Sequence, residues 1–146
     1  MDKYGFNGKI LRIDLTTQKV TTDEPSPIVY RRYLGGGALS LFYLLNELKP
    51  GSDPLGPENV LIFACSVVTG YPVAGFSRFS VAAKSPLTEA FGESEAGGWW
   101  GPELKAAGYD AILIKGRAQK PVYLWIENEK VEIRDASKMW GQMTRK

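Results

Sequence analysis

The stretch from Glu93 to Ala111 constrains the fold more than any other part of this chain. It opens with Glu93-Ser94-Glu95-Ala96, turns through Gly97-Gly98, and carries two adjacent tryptophans, Trp99 and Trp100. Pro102 suits the first turn of a helix, and Gly108 suits the position just past its end. Tyr109-Asp110 then leads into the apolar run Ala111-Ile112-Leu113-Ile114. The segment therefore has to fold as a turn, a short helix and a buried strand in direct succession. Two glycines before a helix let a ligand approach the backbone closely, and the free N–H groups of a helix start favour an anion. The simpler reading, preferred on local pattern alone, is a tight loop packed under a pair of core tryptophans.

The rest of the chain supplies further strands. Ile10, Arg12 and Asp14 alternate with Leu11, Ile13 and Leu15, Thr16-Thr17-Gln18 turns, and Lys19 to Asp23 returns as a hairpin. Glu24-Pro25-Ser26-Pro27 breaks regular structure. Gly35-Gly36-Gly37 precedes a helical stripe of Ala38, Leu41, Leu44, Leu45 and Leu48, which Pro50-Gly51 ends. This glycine turn is read as packing of the helix against a sheet. Ser52 to Asn59 and Thr69 to Gly75 are loops, with strands at Val60–Cys65 and Ser77–Ala83. Val122–Glu127 and Lys130–Asp135 form a second hairpin, loosely like the first, which hints at internal duplication. Ala136 to Gly141 reads as the approach to another element, so an incomplete or split chain is expected.

Composition narrows the chemistry. The 146 residues suit one domain with a modest core, and a net charge of +2 with no basic run gives no case for nucleic acid. No apolar stretch is long enough for a membrane span. Asp2, Lys3 and Gly5 lead into an amphipathic strand rather than a signal peptide, so a cytoplasmic protein is expected. The chain holds no histidine and one cysteine. It can supply no imidazole base, no Ser-His-Asp triad, no internal disulfide and no CxxC metal site. Cys65 lies in an apolar run and reads as a buried, inert thiol.

No constellation performs chemistry alone. Glu89, Glu93 and Glu95 crowd what reads as a loop before Gly97, and three negative charges repel a bare phosphate. A divalent cation between loop and phosphate removes that objection, because Mg²⁺ takes hard oxygen ligands and bridges phosphates. Arg78 opens a strand after a flexible loop. Its guanidinium could fork onto a phosphate or a cofactor ring, or form a salt bridge at the rim. A generic nucleotide-phosphate binder is disfavoured, because no P-loop or dinucleotide fingerprint is present.

An ordered series of segments resembles the N-terminal domain of the tungsten-dependent, bis-pterin aldehyde ferredoxin oxidoreductases. It includes Gly8-Lys9-Ile10-Leu11-Arg12, Asp53-Pro54-Leu55, Pro57-Glu58-Asn59, Thr69-Gly70, Arg78-Phe79 and Lys84-Ser85-Pro86-Leu87-Thr88. It continues with Gly97-Gly98, Glu103-Leu104-Lys105, Ala107 to Ala111, Lys120-Pro121-Val122-Tyr123, Val131 to Ser137 and Trp140-Gly141. The resemblance implies an α+β fold with twisted, mostly antiparallel sheets and short packing helices. It implies a duplicated domain on which a flat pterin lies, of which residues 1–146 supply the first half and part of the second.

It also implies roles. Arg78 lies between pterin and iron–sulfur cluster; Glu95, Ala96, Gly97 and Gly98 line the pterin; and the Glu95 backbone carbonyl helps hold a Mg²⁺ bridging two pterin phosphates. This chain departs from the family pattern in having Glu95 where well-known members have Asn, and Gly37 where the family often has Arg. Tungsten, or molybdenum, is held by pterin dithiolenes, and the 4Fe-4S cluster and acid/base residues belong to later domains. The chain is then the cofactor-seating part of an enzyme that oxidises aldehydes to carboxylic acids with ferredoxin as acceptor, inactive alone. Its partners are the remaining domains or a separately encoded subunit. The alternative is a non-enzymatic pterin-binding or scaffold module reusing the fold.

Overall fold

The computed structural model describes residues 5–144. The expectations placed on Asp2 and Lys3 lie outside them. In chain order the elements are β1 (Ile10–Asp14), β2 (Lys19–Asp23), α1 (Pro27–Tyr33), α2 (Gly36–Glu47), β3 (Val60–Cys65) and β4 (Phe79–Lys84). Then come β5 (Phe91–Ala96), α3 (Trp100–Ala106), β6 (Ala111–Lys115), β7 (Val122–Glu127) and β8 (Lys130–Asp135). Six strands form one sheet in the order β2-β1-β6-β3-β4-β5, and β7-β8 is a separate hairpin. Every pairing is antiparallel except β1 with β6, which is parallel with Ile10 opposite Ala111. The expected α+β, mostly antiparallel class is what forms.

Strand alternation sorts the core onto two faces. On one, Ile10, Ile62, Ala64, Ala111 and Leu113 pack against Tyr30 of α1 and Leu39, Tyr43 and Leu44 of α2. On the other, Leu11, Ile13, Cys65 and Ile112 pack against Leu104 of α3 and Tyr109. The β7-β8 hairpin adds Leu124, Ile126, Val131 and Ile133 to that second face. A lone hairpin is marginal in water, so this apolar side is what holds it.

Three expectations are corrected. The break at Glu24–Pro27 ends sooner than read: Pro27 is the first residue of α1, where its fixed φ and missing N–H cost nothing. The leucine stripe is only partly right for α2: Leu44 is buried and Leu48 packs on the core, but the buried face is centred elsewhere. Leu39, Ser40, Tyr43 and Leu44 are buried, whereas Ala38 and Leu41 are exposed and Leu45 is 73% exposed. The glycine turn fixes how α2 lies on the sheet, and that orientation overrides the count of leucines. Third, the acidic stretch read as a loop is the edge strand β5, paired along its length with β4. The unpaired edge of β4 outweighs the poor strand propensity of Gly92 and the glutamates, and charge suits an edge.

The packing role read for the three-glycine turn is borne out. Gly35 has φ +95° and pairs with Ser66. A Cβ there would overlap the Cys65 carbonyl, one at Gly36 would stand 3.4 Å from Ser80 Oγ, and one at Gly37 would overlap the Glu93 carboxylate. Consecutive glycines thus meet the end of β3, then β4, then β5.

Candidate functional site

Strand order brings the candidate residues to one end of the sheet. Arg78 immediately precedes β4, and Glu95 lies near the end of β5 opposite Ser80. Ala96 opposes Phe79, and the chain leaves the sheet there through Gly97-Gly98. Arg78 Nη1 stands 3.4 Å from Glu95 Oε2, with side chains 67% and 57% exposed. The salt bridge weighed from sequence forms, and its partner is the other leading candidate. Gly98 has φ +93° and no atom within 4 Å of a Cβ built on it, so the backbone there is open to an approaching group.

The Arg78 backbone is fixed although its side chain is free. Thr69, fully buried, accepts the Ser66 N–H at 2.9 Å and donates its hydroxyl to the Arg78 carbonyl at 2.7 Å. The Thr69-Gly70 turn is thereby a brace for Arg78. Glu93 and Glu95, two apart on β5, share the sheet face on which α2 sits, as does Ser80. The α2 helix begins at this same end.

The tryptophans are not core residues, which corrects the packed-loop reading. Trp99 is 83% exposed and Trp100 is 40% exposed. Gly101 explains this. A Cβ on it would meet Thr69 Cγ2 at 3.0 Å and the Ser77 carbonyl at 3.1 Å, so α3 lies flush on the chain beneath and leaves no room for an indole. Trp100 instead leans sideways on Phe79 and Phe63, with ring centroids 4.4 and 5.3 Å away.

One pair of residues was missed by sequence reasoning. Lys105 Nζ and Asp110 Oδ1 are 2.6 Å apart, with side chains 1% and 3% exposed. Lys105 also donates to the Gly5 carbonyl, and Asp110 accepts the N–H groups of Asn7 and Gly8 at 2.9 and 2.7 Å. Asn7 Nδ2 returns a bond to the Lys105 carbonyl. The network ties residues 5–8 to the far end of α3, the helix that starts beyond the glycine turn. A lysine in a short helix's last turn and an aspartate opening an apolar strand were the available signal. Cys65 is buried beside this network, its Sγ 3.5 Å from the Gly101 carbonyl, and burial pushes its thiol up to about 12. No group of three His, Cys, Asp or Glu is placed to hold a metal ion among the described residues.

The class that fold and site define is an α+β domain that gathers an exposed guanidinium, two carboxylates and an open glycine turn at one end of its sheet. Residues 10–146 match the N-terminal domain of aldehyde ferredoxin oxidoreductase, and the chain belongs to that family. It is similar to the tungsten-containing aldehyde ferredoxin oxidoreductase of Pyrococcus furiosus, with 43% identity over 139 residues. That match takes in 95% of this chain and 23% of the relative. The WOR-like subunit of aliphatic sulfonate oxidoreductase from the same organism is 44% identical over 94% of this chain and 22% of its own length. Among solved structures, the active-site complex BamBC of benzoyl coenzyme A reductase, in complex with 1,5 dienoyl-CoA, superposes with a TM-score of 0.92 at 41% identity. It covers 94% of this chain and 21% of that one. The chain thus spans under a quarter of these relatives, as a domain of an oxidoreductase family. The family expectation is borne out, and the scaffold-only alternative is not favoured. No helix among the described residues is long and apolar enough to cross a membrane.

Proposed function

We propose that residues 1–146 act as the cofactor-seating domain of a larger cytoplasmic, tungsten-containing oxidoreductase. The observation that carries this is the convergence of Arg78, Glu95, Ala96, Gly97 and Gly98 at one end of β4 and β5. The residues fit a flat, anionic pterin. An exposed guanidinium supplies charge and a planar fork, and the open backbone at Gly98 lets a phosphate approach. Glu95 repels that phosphate unless a cation intervenes, which supports a Mg²⁺ held in part by the Glu95 carbonyl. As an edge strand, β5 turns half of its carbonyls away from β4.

When bound, the tungsten centre would carry the oxidation of an aldehyde to a carboxylic acid, with electrons leaving through a 4Fe-4S cluster to ferredoxin. This chain's part is positional. Thr69 fixes the backbone of Arg78, Arg78 would neutralise charge on the cofactor, and the glycine turn would admit its phosphate. The cluster and the acid/base groups would come from the remaining domains or a second subunit. The relatives are named for an aldehyde, an aliphatic sulfonate and a benzoyl-CoA substrate at 41–44% identity. A domain shared across such different substrates suits a role toward the cofactor rather than the substrate.

The test is tungsten, pterin and magnesium content per chain in the purified complete protein. Near-stoichiometric metal and pterin, both reduced severalfold in Arg78→Ala with the fold intact, is the expected result. Metal and pterin content unaffected by Arg78→Ala and by Gly98→Val would overturn the reading.

A further inference from the structure

We propose that Glu93 is a positioning residue that latches β5 to the first turn of α2 and so fixes the strand end carrying Glu95 and Gly97-Gly98. Its functional consequence rests on the reading of that end as the cofactor seat. The three glycines at the start of α2 show why Glu93 stands out. At Gly35 the obstacle to a side chain is the Cys65 backbone, and at Gly36 it is the backbone's own φ of +57°, with the buried Ser80 hydroxyl at contact distance. At Gly37 the obstacle is the end of a side chain reaching across from another strand. Gly37 is not among the glycines with positive φ, so its backbone does not require glycine. A side chain there would instead meet the Glu93 carboxylate, the far end of a flexible side chain.

A second observation explains why an acid reaches there. The α2 helix has Gly35 at its N-cap, no capping side chain and no acidic residue in its first turn. Its positive end is left uncompensated by its own sequence, and Glu93 brings a negative charge beside it from β5. β5 is an edge strand, held by β4 on one side only. The contact with α2 is therefore a second anchor, two residues before Glu95 on the same face of the strand.

The prediction is a sign change in a mutant cycle on the full chain. Glu93→Ala is expected to speed amide exchange across residues 91–98 about threefold, leaving β1 and β6 unchanged. Gly37→Ala is expected to do the same, because the new methyl displaces the carboxylate. In the Glu93→Ala background, Gly37→Ala should speed exchange no further and should raise Tm, since alanine is the better helix former once the space is open. Glu93→Gln, of equal length but without the charge, should speed exchange less than Glu93→Ala does, and Glu93→Asp, one methylene shorter, should speed it as well. Additive effects in the cycle, or unchanged exchange at 91–98 in Gly37→Ala, would overturn the latch.

The positioning role has its own readout. In the complete protein Glu93→Ala should retain severalfold less tungsten, with Glu93→Gln between it and the native amount. Faster exchange with unchanged tungsten would overturn positioning while leaving the seat at Arg78 standing. The exchange cycle needs no cofactor, so its failure is separable from failure of the proposed function.

Discussion

Two ion pairs bracket the segment from Glu95 to Asp110, and they are opposites. Lys105 and Asp110 meet at 2.6 Å inside the protein, and each is also hydrogen-bonded to the backbone of residues 5–8. Arg78 and Glu95 meet at 3.4 Å at the surface, with solvent on most sides. A buried pair is costly to assemble and costlier to break, because removing one partner strands the other charge. An exposed pair contributes little to stability, so its members can exchange each other for a ligand at small cost. The same stretch of sequence thus carries a rigid anchor at one end and an adaptable contact at the other, joined by α3.

The largest effect should come from the anchor. Lys105→Met leaves Asp110 buried and uncompensated, and should cost about 3–5 kcal/mol by denaturant unfolding. A loss similar to that of a surface lysine would break the contrast between the pairs.

Cys65 reports on the same buried surroundings through pH. Its thiol is raised from an ordinary 9.0 to about 12, chiefly by burial. The unfolded chain ionises first, so the contribution is complete below pH 9 and is lost as pH rises toward 12. The native protein should lose roughly 2 kcal/mol more than Cys65→Ala between pH 8 and 11, read from paired unfolding curves.

Gly108 sharpens the comparison at the junction between helix and anchor. Its φ is +96° and the space around it is open, so Gly108→Ala incurs conformational strain alone, about 1 kcal/mol. A larger loss would mean that the strain reaches the Lys105–Asp110 network. The smallest effect belongs to the exposed pair: Arg78→Ala should move stability by no more than about 0.5 kcal/mol. A larger shift would make Arg78 structural.

Legibility followed the range of the forces. The β1-β2 hairpin was readable because its alternation and its turn at Thr16-Thr17-Gln18 are local. So was the helix between Pro102 and Gly108, and the packing role of Gly35-Gly36-Gly37. The strand β5 was hidden because Phe91-Gly92-Glu93-Ser94-Glu95-Ala96 has little strand character of its own, and the neighbouring β4 dictates it. That omission concealed the Arg78–Glu95 pair, whose members stand 17 positions apart and meet through antiparallel register. The tryptophans misled because hydrophobicity predicts burial only where space exists, and Gly101 removes the space. Arg78 at a strand start, the glutamates and the Gly97-Gly98 turn stood out from the residues themselves, whereas their assignment to a pterin came from the family resemblance.

The single parallel junction of the sheet has a consequence for how the chain acquires its shape. β1 is an inner strand whose neighbour β6 is made about a hundred residues later, with Ile10 opposite Ala111. The antiparallel run β3-β4-β5 pairs within itself through nearby strands and can assemble early, although β3 also awaits β6 on its other edge. The N-terminal hairpin must wait, with one edge unsatisfied, until residues 111–115 have left the ribosome. The end carrying Arg78 and the glycine turn can therefore take form before the centre of the sheet closes, and slow closure, rather than a slow site, should set the pace of folding.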